Sequence, residues 1–184
     1  QGVRFGRPLA RTREYVDVVT MALRRETVRY AGEFFELPLP DGPGKALKLA
    51  VHPARERVPL YLAAVGPRNL ELAGEIADGW LAIFFSPEYA DELLGAVRAG
   101  QQRGGREGHA FDVSATVPVS LGDDVELCAE PIRGYAALYV GGMGSREQNF
   151  YNALARRMGF EQAAQQVQDL FLAREHRAAM AAVP

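Results

Sequence analysis

Cysteine is nearly absent from this chain of 184 residues, and long apolar runs and a marked excess of either charge are missing. Because Cys128 is the single cysteine, the chain cannot form an internal disulfide, which suits a reducing cytoplasm. No apolar run approaches the roughly 20 residues that cross a bilayer. The net charge of −2 and the scattered Lys and Arg residues indicate neither a nucleic-acid surface nor a polybasic membrane patch. We therefore expect a cytoplasmic protein that binds small molecules.

The middle of the chain predicts a strand, a turn, a helix and a second strand in succession. Residues 58–64 form a continuous apolar run of strand length, typical of a buried strand in a parallel sheet. Gly66 permits a sharp turn, and Pro67 suits the first helical position because its missing N–H costs nothing there. The helix ends at Asp78-Gly79, and residues 80–85 form the next apolar strand. The stretch is therefore predicted to be a βαβ unit with parallel strands.

The turn in this unit is a candidate seat for an anion. The carboxyl end of a strand and the amino end of a helix meet there, where free N–H groups and the helix dipole attract phosphate. Gly66 lets a ligand approach the backbone, and Arg68 adds a guanidinium that can pair with phosphate. The candidate cofactor-binding residues are Ala64, Val65, Gly66, Pro67, Arg68 and Asn69. From spacing alone, the alternative is a plain tight turn with a solvated Arg68.

The segment before this unit predicts one helix and a hairpin. Residues 9–25 place apolar side chains on one broad face at helical spacing. Residues 27–37 alternate around Gly32, which predicts two short strands or an irregular hairpin. Residues 47–50 are a candidate further strand.

The segment after the unit predicts a helix, a strand and several more helices. Ser86 and Pro87 have the form of a helix start, with Ser86 as the N-cap, and this helix should run to about Arg103. Residues 111–119 alternate apolar with small polar side chains and predict a strand. Asp123 or Asp124 can cap a helix over residues 125–140, and residues 145–184 are predicted to be helical with a break at Gly159. The apolar faces of this tail are expected to be Phe150, Leu154, Met158, Ala163, Val167, Leu170 and Phe171.

The order of these elements indicates an α/β fold with parallel strands. Only three or four strands of the parallel type are present, and three parallel strands make a poor independent sheet. A (β/α)8 barrel usually needs about 250 residues, so 184 residues can hold only part of one. Because the first residue is Gln1 rather than Met, we expect a piece of a longer protein.

Three stretches resemble a known family. They are the segment PLARTREYVDVVTMALRRETVRYAGEFFEL, the central VPLYLAAVGPRNLELAGEIADGW and the later GGMGSREQNFYNALARRMGF. Together they are similar to the bacterial luciferase-like monooxygenase superfamily and, more narrowly, to the branch that uses the deazaflavin coenzyme F-420. The central stretch is the most specific, because the strand, the Gly-Pro turn and the Ala-Asp-Gly-Trp ending occur together. The resemblance covers nearly the whole chain.

The resemblance implies an incomplete (β/α)8 TIM barrel over residues 1–184, with residues 58–64, 80–84 and 111–119 as strands five, six and seven. It also implies an oxidoreductase that transfers hydride between F-420, or alternatively FMN, and a small organic substrate. In such relatives the turn after strand five holds the cofactor's phosphate, which matches residues 64–69 here. The family's acid–base residues match no position of this chain, His52, His109 and His176 included, so the catalytic residues are unknown. No metal site is expected.

Two other classes of function stay open at this point. One is a truncated, non-catalytic barrel that pairs its open edges with another chain, since open parallel edges favour association. The other is a different phosphate-binding barrel, such as a sugar-phosphate enzyme. In any case we expect a homo-oligomer, and we expect the isolated chain to be inactive or poorly active because its catalytic end is not visible.

Overall fold

The computed structural model describes residues 6–184 and divides them into two compact units. The first unit holds the described residues up to Leu62 together with Arg68–Trp80 and Leu94–Val113. The second holds Ala63–Pro67, Leu81–Leu93 and Ser114–Pro184. That residues 1–184 form one partial-barrel domain stays a prediction. None of the helices among residues 6–184 is both long and apolar enough to cross a membrane.

The middle of the chain contributes a three-stranded sheet. Its strands are β3 (Tyr61–Ala63), β4 (Gly79–Ile83) and β5 (Asp112–Thr116), and β4 lies between the other two. The amide of Asp78 donates to the carbonyl of Leu60 at 2.8 Å, and the amide of Asp112 donates to the carbonyl of Asp78 at 3.1 Å. Because the residues just before β3 and β4 and the first residue of β5 bond to one another, the three strands start at the same edge and run in the same direction. The predicted parallel sheet and βαβ unit are confirmed.

The Ala77-Asp78-Gly79-Trp80 ending fixes the starting edge of this sheet. The Asp78 carboxylate accepts the amide of Leu60 at 2.9 Å and the guanidinium of Arg106 at 3.1 Å, and it also pairs with Arg57. Ala77 and Trp80 are buried on either side. A side chain at Gly79 would collide with the Tyr61 ring. Hydrogen bonding therefore explains the residue type at Asp78, and packing explains it at the other three positions of the motif.

The two outer strands are shorter and more exposed than predicted. A buried strand was predicted over residues 58–64, and a strand with apolar and small polar side chains in alternation was predicted over residues 111–119. Tyr61 is 37% exposed, and within β5 only Val113 is half-buried, while Val117 and Val119 lie beyond the end of that strand and are 67% and 75% exposed. The physical reason is position, because β3 and β5 are the sheet's edges in this chain whereas β4 lies between them and buries Trp80.

The first unit holds α1 (Pro8–Leu23) and most of α2 (Pro67–Ile76) and α3 (Ala90–Arg103). The latter two approach very closely, because a Cβ at Gly74 would fall on the carbonyl oxygen of Val97 and one at Gly100 on the carbonyl oxygen of Glu71. Between these two helices, Glu71 of α2 pairs with Arg103 of α3 at 3.0 Å.

The predicted hairpin is confirmed as β1 (Tyr30–Ala31) and β2 (Glu36–Leu37), which pair antiparallel. The Glu14 carboxylate accepts the amides of Glu33 and Phe34 at 2.8 Å and of Phe35 at 3.1 Å. Desolvation acts to raise the pKa of Glu14, but these donors outweigh it and hold the pKa below its usual value. The candidate strand over residues 47–50 is wrong, because only Leu47 forms a bridge, with Val28.

The second unit carries the later helices, α4 (Val125–Ala137), α5 (Phe150–Arg157), α6 (Glu161–Leu172) and α7 (His176–Ala181). The Asp124 side chain caps α4 by accepting the amides of Glu126 and Leu127 at 2.9 and 3.2 Å, which confirms Asp124 as the cap of the two candidates. Gly159, with φ 87°, makes the predicted break. The expected apolar face of the tail is wrong at Phe150, which is 54% exposed.

Two other helix ends differ from expectation. After Ser86 the chain forms a 3-10 turn, Pro87–Tyr89, before α3 begins. Ser86 provides no cap because its hydroxyl bonds the Glu88 carboxylate instead. The helix predicted over residues 125–140 ends earlier and continues as a π-turn, Leu138–Gly142, whose glycines pack beneath the Phe171 ring.

We expect Gly100→Ala to lower the free energy of unfolding by about 1–3 kcal/mol, because its methyl group would force α2 and α3 apart. Gly95→Ala, in the same helix, is the matched control. Its methyl group meets only the far end of Arg98 at 4.0 Å, so it should stabilise the protein by up to about 1 kcal/mol. Urea denaturation of both variants measures the difference, and equal effects would contradict the close packing.

We expect Asp78→Ala to cost about 2–3 kcal/mol of stability, because it leaves the largely buried Arg106 without its carboxylate and Leu60 without an acceptor. Glu71→Ala removes a more exposed ion pair and should cost less than about 1 kcal/mol. Thermal and urea unfolding of both variants compare the two losses. A loss for Asp78→Ala no larger than that for Glu71→Ala would show that Asp78 does not hold the sheet edge.

Candidate functional site

The turn after β3 leaves its backbone open to approach. Ala64 is buried, Val65 and Gly66 are half-buried, and Pro67 is exposed where α2 begins. A Cβ built on Gly66 would meet no atom within 4 Å, so free space lies directly in front of this residue. The φ of Gly66 lies outside the left-handed region, so the turn does not need glycine for its conformation. What glycine provides here is access to the backbone.

The start of α2 offers backbone donors that suit an anion. The first four N–H groups of an α-helix have no acceptor inside the helix, and the helix dipole places partial positive charge there. Pro67 occupies the first position, as predicted, and the amides of Arg68 and Asn69 follow in the first turn. A phosphate or carboxylate group fits this arrangement.

The Arg68 side chain lies on the outer face of α2. It is exposed and lines a cleft of about 340 Å³ in the first unit, together with Arg13, Glu71, Glu75 and Arg103. Glu75 already pairs with Arg13 at 2.6 Å. A direct contact between Arg68 and phosphate therefore stays a prediction.

A different arginine reaches the turn, and sequence reasoning missed it. Arg157, at the end of α5, donates from Nη2 to the carbonyl oxygen of Val65 at 3.4 Å. Its Nε lies 3.9 Å from the carboxylate of Glu92, in the first turn of α3. Because 92 positions separate Arg157 from Val65, no local pattern could have paired them.

Hydrogen bonds hold the end of α5 in place within the second unit. The Tyr89 hydroxyl donates to the carbonyl oxygen of Met158, and a Cβ at Gly159 would lie 3.3 Å from that hydroxyl. At the other end of α5, the Asn149 side chain accepts the amides of Tyr151 and Asn152 at 3.0 Å. Both ends of α5 are therefore fixed.

An aromatic cluster lies just beyond β4 in the same unit. The Phe84 ring lies 5.6 Å from the rings of Tyr135 and Tyr139 and 6.1 Å from that of Tyr151. Phe84 has φ 54°, a backbone conformation that a bulky residue rarely adopts and that is often found at functional sites. Desolvation, reinforced by a hydrogen bond to Tyr139, raises the pKa of Tyr135, and desolvation also raises the pKa of Tyr151.

An apolar cavity of about 400 Å³ adjoins this cluster. Its lining is Phe84, Ala136, Val140, Tyr151, Leu154, Ala155, Met158, Phe160, Ala163, Ala164, Val167, Val183 and Pro184. Its volume is within the range of small-molecule pockets. Sequence reasoning assigned Leu154, Met158, Ala163 and Val167 to the core without indicating this opening.

A parallel sheet with helical crossovers and an open βα turn at the carboxyl end of a strand are features of a (β/α)8 fold. The chain belongs to the luciferase-like monooxygenase family, whose sequence profile matches residues 1–184. This confirms the resemblance that its motifs indicated.

Named relatives narrow the likeness further. The chain is 44% identical over 182 residues to a Mycobacterium tuberculosis protein that carries the name of a coenzyme F-420-dependent oxidoreductase, a match that covers 92% of this chain and 51% of the relative. It is 32% identical over 133 residues to the F-420-dependent glucose-6-phosphate dehydrogenase of Nakamurella multipartita, covering 70% of this chain and 36% of that protein.

A solved structure confirms the fold class. The coenzyme F-420-dependent tetrahydromethanopterin reductase of Methanopyrus kandleri superposes with a TM-score of 0.75 and 25% identity, covering 96% of this chain and 48% of that one. The chain thus spans about half the length of the relatives it matches. An incomplete TIM barrel of the luciferase-like type agrees with both findings.

Proposed function

We propose that this chain is the phosphate-anchoring part of a coenzyme F-420-dependent oxidoreductase that transfers hydride between F-420 and a small organic substrate. The observation that carries the proposal is the open Gly66 backbone at the start of α2 in a luciferase-like chain. The names of the relatives favour F-420 over FMN, which is the alternative cofactor.

The residues of the turn fit a phosphate group. The space in front of Gly66 is open, and the amides of Gly66, Arg68 and Asn69 are candidate donors at the positive end of a helix. Val65 and Pro67 shape the turn, and Ala64, which is buried, joins it to β3. These six residues are the proposed phosphate seat.

The chain's own contribution is binding and orientation. Bound F-420 would supply the hydride chemistry through its deazaflavin ring. The turn would hold the phosphate, and the cavity beside Phe84 would offer an apolar surface in the second unit. No residue of this chain is assigned as the acid or base.

Exposed apolar side chains beside the three-stranded sheet favour self-association, a property compatible with the proposed function. Val117, Val119 and Leu121, which follow the edge strand β5, are 67%, 75% and 92% exposed. Such edges tend to pair with another chain. A mass that rises with concentration would support a homo-oligomer.

The test of the proposed cofactor is a fluorescence titration of the purified protein with F-420 and with FMN, each separately. Micromolar binding of F-420, with FMN at least about tenfold weaker, is the result we expect. Tighter binding of FMN would favour the alternative cofactor, and binding of phosphorylated sugars without either coenzyme would favour a different class of phosphate-binding barrel.

We expect Gly66→Val to weaken F-420 binding at least tenfold, because its isopropyl group would fill the open space in front of the backbone donors. The fold should be unchanged, since nothing lies within 4 Å of that position. Gly44→Val is the matched control, because Gly44 also has open space around it but lies in the loop before Leu47. Unchanged F-420 affinity in Gly66→Val would remove the turn from the binding site.

A further inference from the structure

We propose that Arg157 is a positioning residue that orients the Gly66 amide toward the cofactor's phosphate by holding the carbonyl of Val65. This inference rests on the proposed function, since it concerns the same turn. It goes beyond it by assigning a role to a residue on α5, far from the turn in sequence.

The peptide bond between Val65 and Gly66 transmits the effect. A peptide group is planar, so the carbonyl of Val65 and the amide of Gly66 turn as one rigid plate and, in the trans form, point in opposite directions. The guanidinium of Arg157 binds the carbonyl side at 3.4 Å. It therefore fixes the direction of the Gly66 N–H on the opposite side, without contacting the phosphate itself.

The guanidinium also lies within ion-pair distance of a carboxylate. Glu92 lies 3.9 Å from Nε of Arg157 while Nη2 faces Val65. Arginine suits this bridging position because its donors project in a fixed planar fork, whereas a lysine carries a single compact ammonium group. The side chain is 33% exposed, so two-thirds of its surface is covered and its range of positions is restricted.

Comparison with Arg156 shows that a basic residue at the end of α5 does not by itself contact the turn. Arg156 and Arg157 both occupy the last turn of α5, where the helix dipole stabilises positive charge. Arg156 pairs with Glu161 at 2.6 Å, near the start of α6. Only Arg157 of the two has a hydrogen bond to the turn among the described contacts, so Arg156 is a matched control for charge and helix position.

The experiment compares Arg157→Ala, Arg157→Lys and Arg156→Ala in the purified protein. Fluorescence titration measures the affinity of each variant for F-420 and for its phosphate-free chromophore. We expect Arg157→Ala to weaken F-420 binding about tenfold, the size of one charge-assisted hydrogen bond, and to leave the phosphate-free chromophore within about twofold of the unmodified protein. Arg157→Lys should restore part of the loss, and Arg156→Ala should bind both ligands normally.

The results separate this inference from the proposed function. If the unmodified protein binds F-420 and Arg157→Ala binds it equally well, the positioning role is wrong and the proposed function stands. Equal losses for F-420 and the phosphate-free chromophore would also overturn the positioning role, because they would indicate general support of the pocket. If the unmodified protein binds no F-420, both proposals are wrong.

Discussion

The parallel sheet depends on the hydrogen bonds that Asp78 makes at the edge where its strands begin. Its backbone amide and carbonyl join Leu60 on one side and Asp112 on the other. Its carboxylate binds Leu60 a second time and neutralises Arg106, whose side chain is only 16% exposed. A parallel sheet has no tight hairpins to set its register, so a residue that bonds both neighbours supplies that constraint.

The position of the turn after β3 depends on β3 itself, whose start is bonded to Asp78 through Leu60. β3 is short, and its carboxyl end leads directly to Gly66 and the start of α2. A helix start provides donors, glycine leaves them accessible, and the carbonyl of Val65 is held from α5 by Arg157. A rigid scaffold that presents an open backbone is what a phosphate site requires, because pre-oriented donors lose little freedom when the anion binds.

Much of the local structure could be predicted from the sequence, because its causes are local. The βαβ unit, the Asp124 cap and the break at Gly159 follow from apolar runs, side-chain capping and glycine conformation. The exposure of β3 and β5 could not be predicted, since a buried strand and an apolar edge strand have the same sequence pattern. The phosphate seat proposed over residues 64–69 follows from the turn motif and stays a prediction, and the space in front of Gly66 is open.

The remaining features depend on distant parts of the chain. The Arg157 contact, the ring cluster around Phe84 and the reciprocal approach at Gly74 and Gly100 each join segments that no periodicity links. Arg157 in particular has the sequence signature of an ordinary helix end. Tertiary packing decides which of two adjacent arginines faces the turn.

Amide hydrogen exchange over residues 64–70 of the purified protein, with and without F-420, tests the central claim most directly. If the backbone of this turn holds the phosphate, exchange at Gly66, Arg68 and Asn69 slows when F-420 binds, and the phosphate-free chromophore leaves it unchanged. Saturating F-420 without any slowing in this segment would contradict the account.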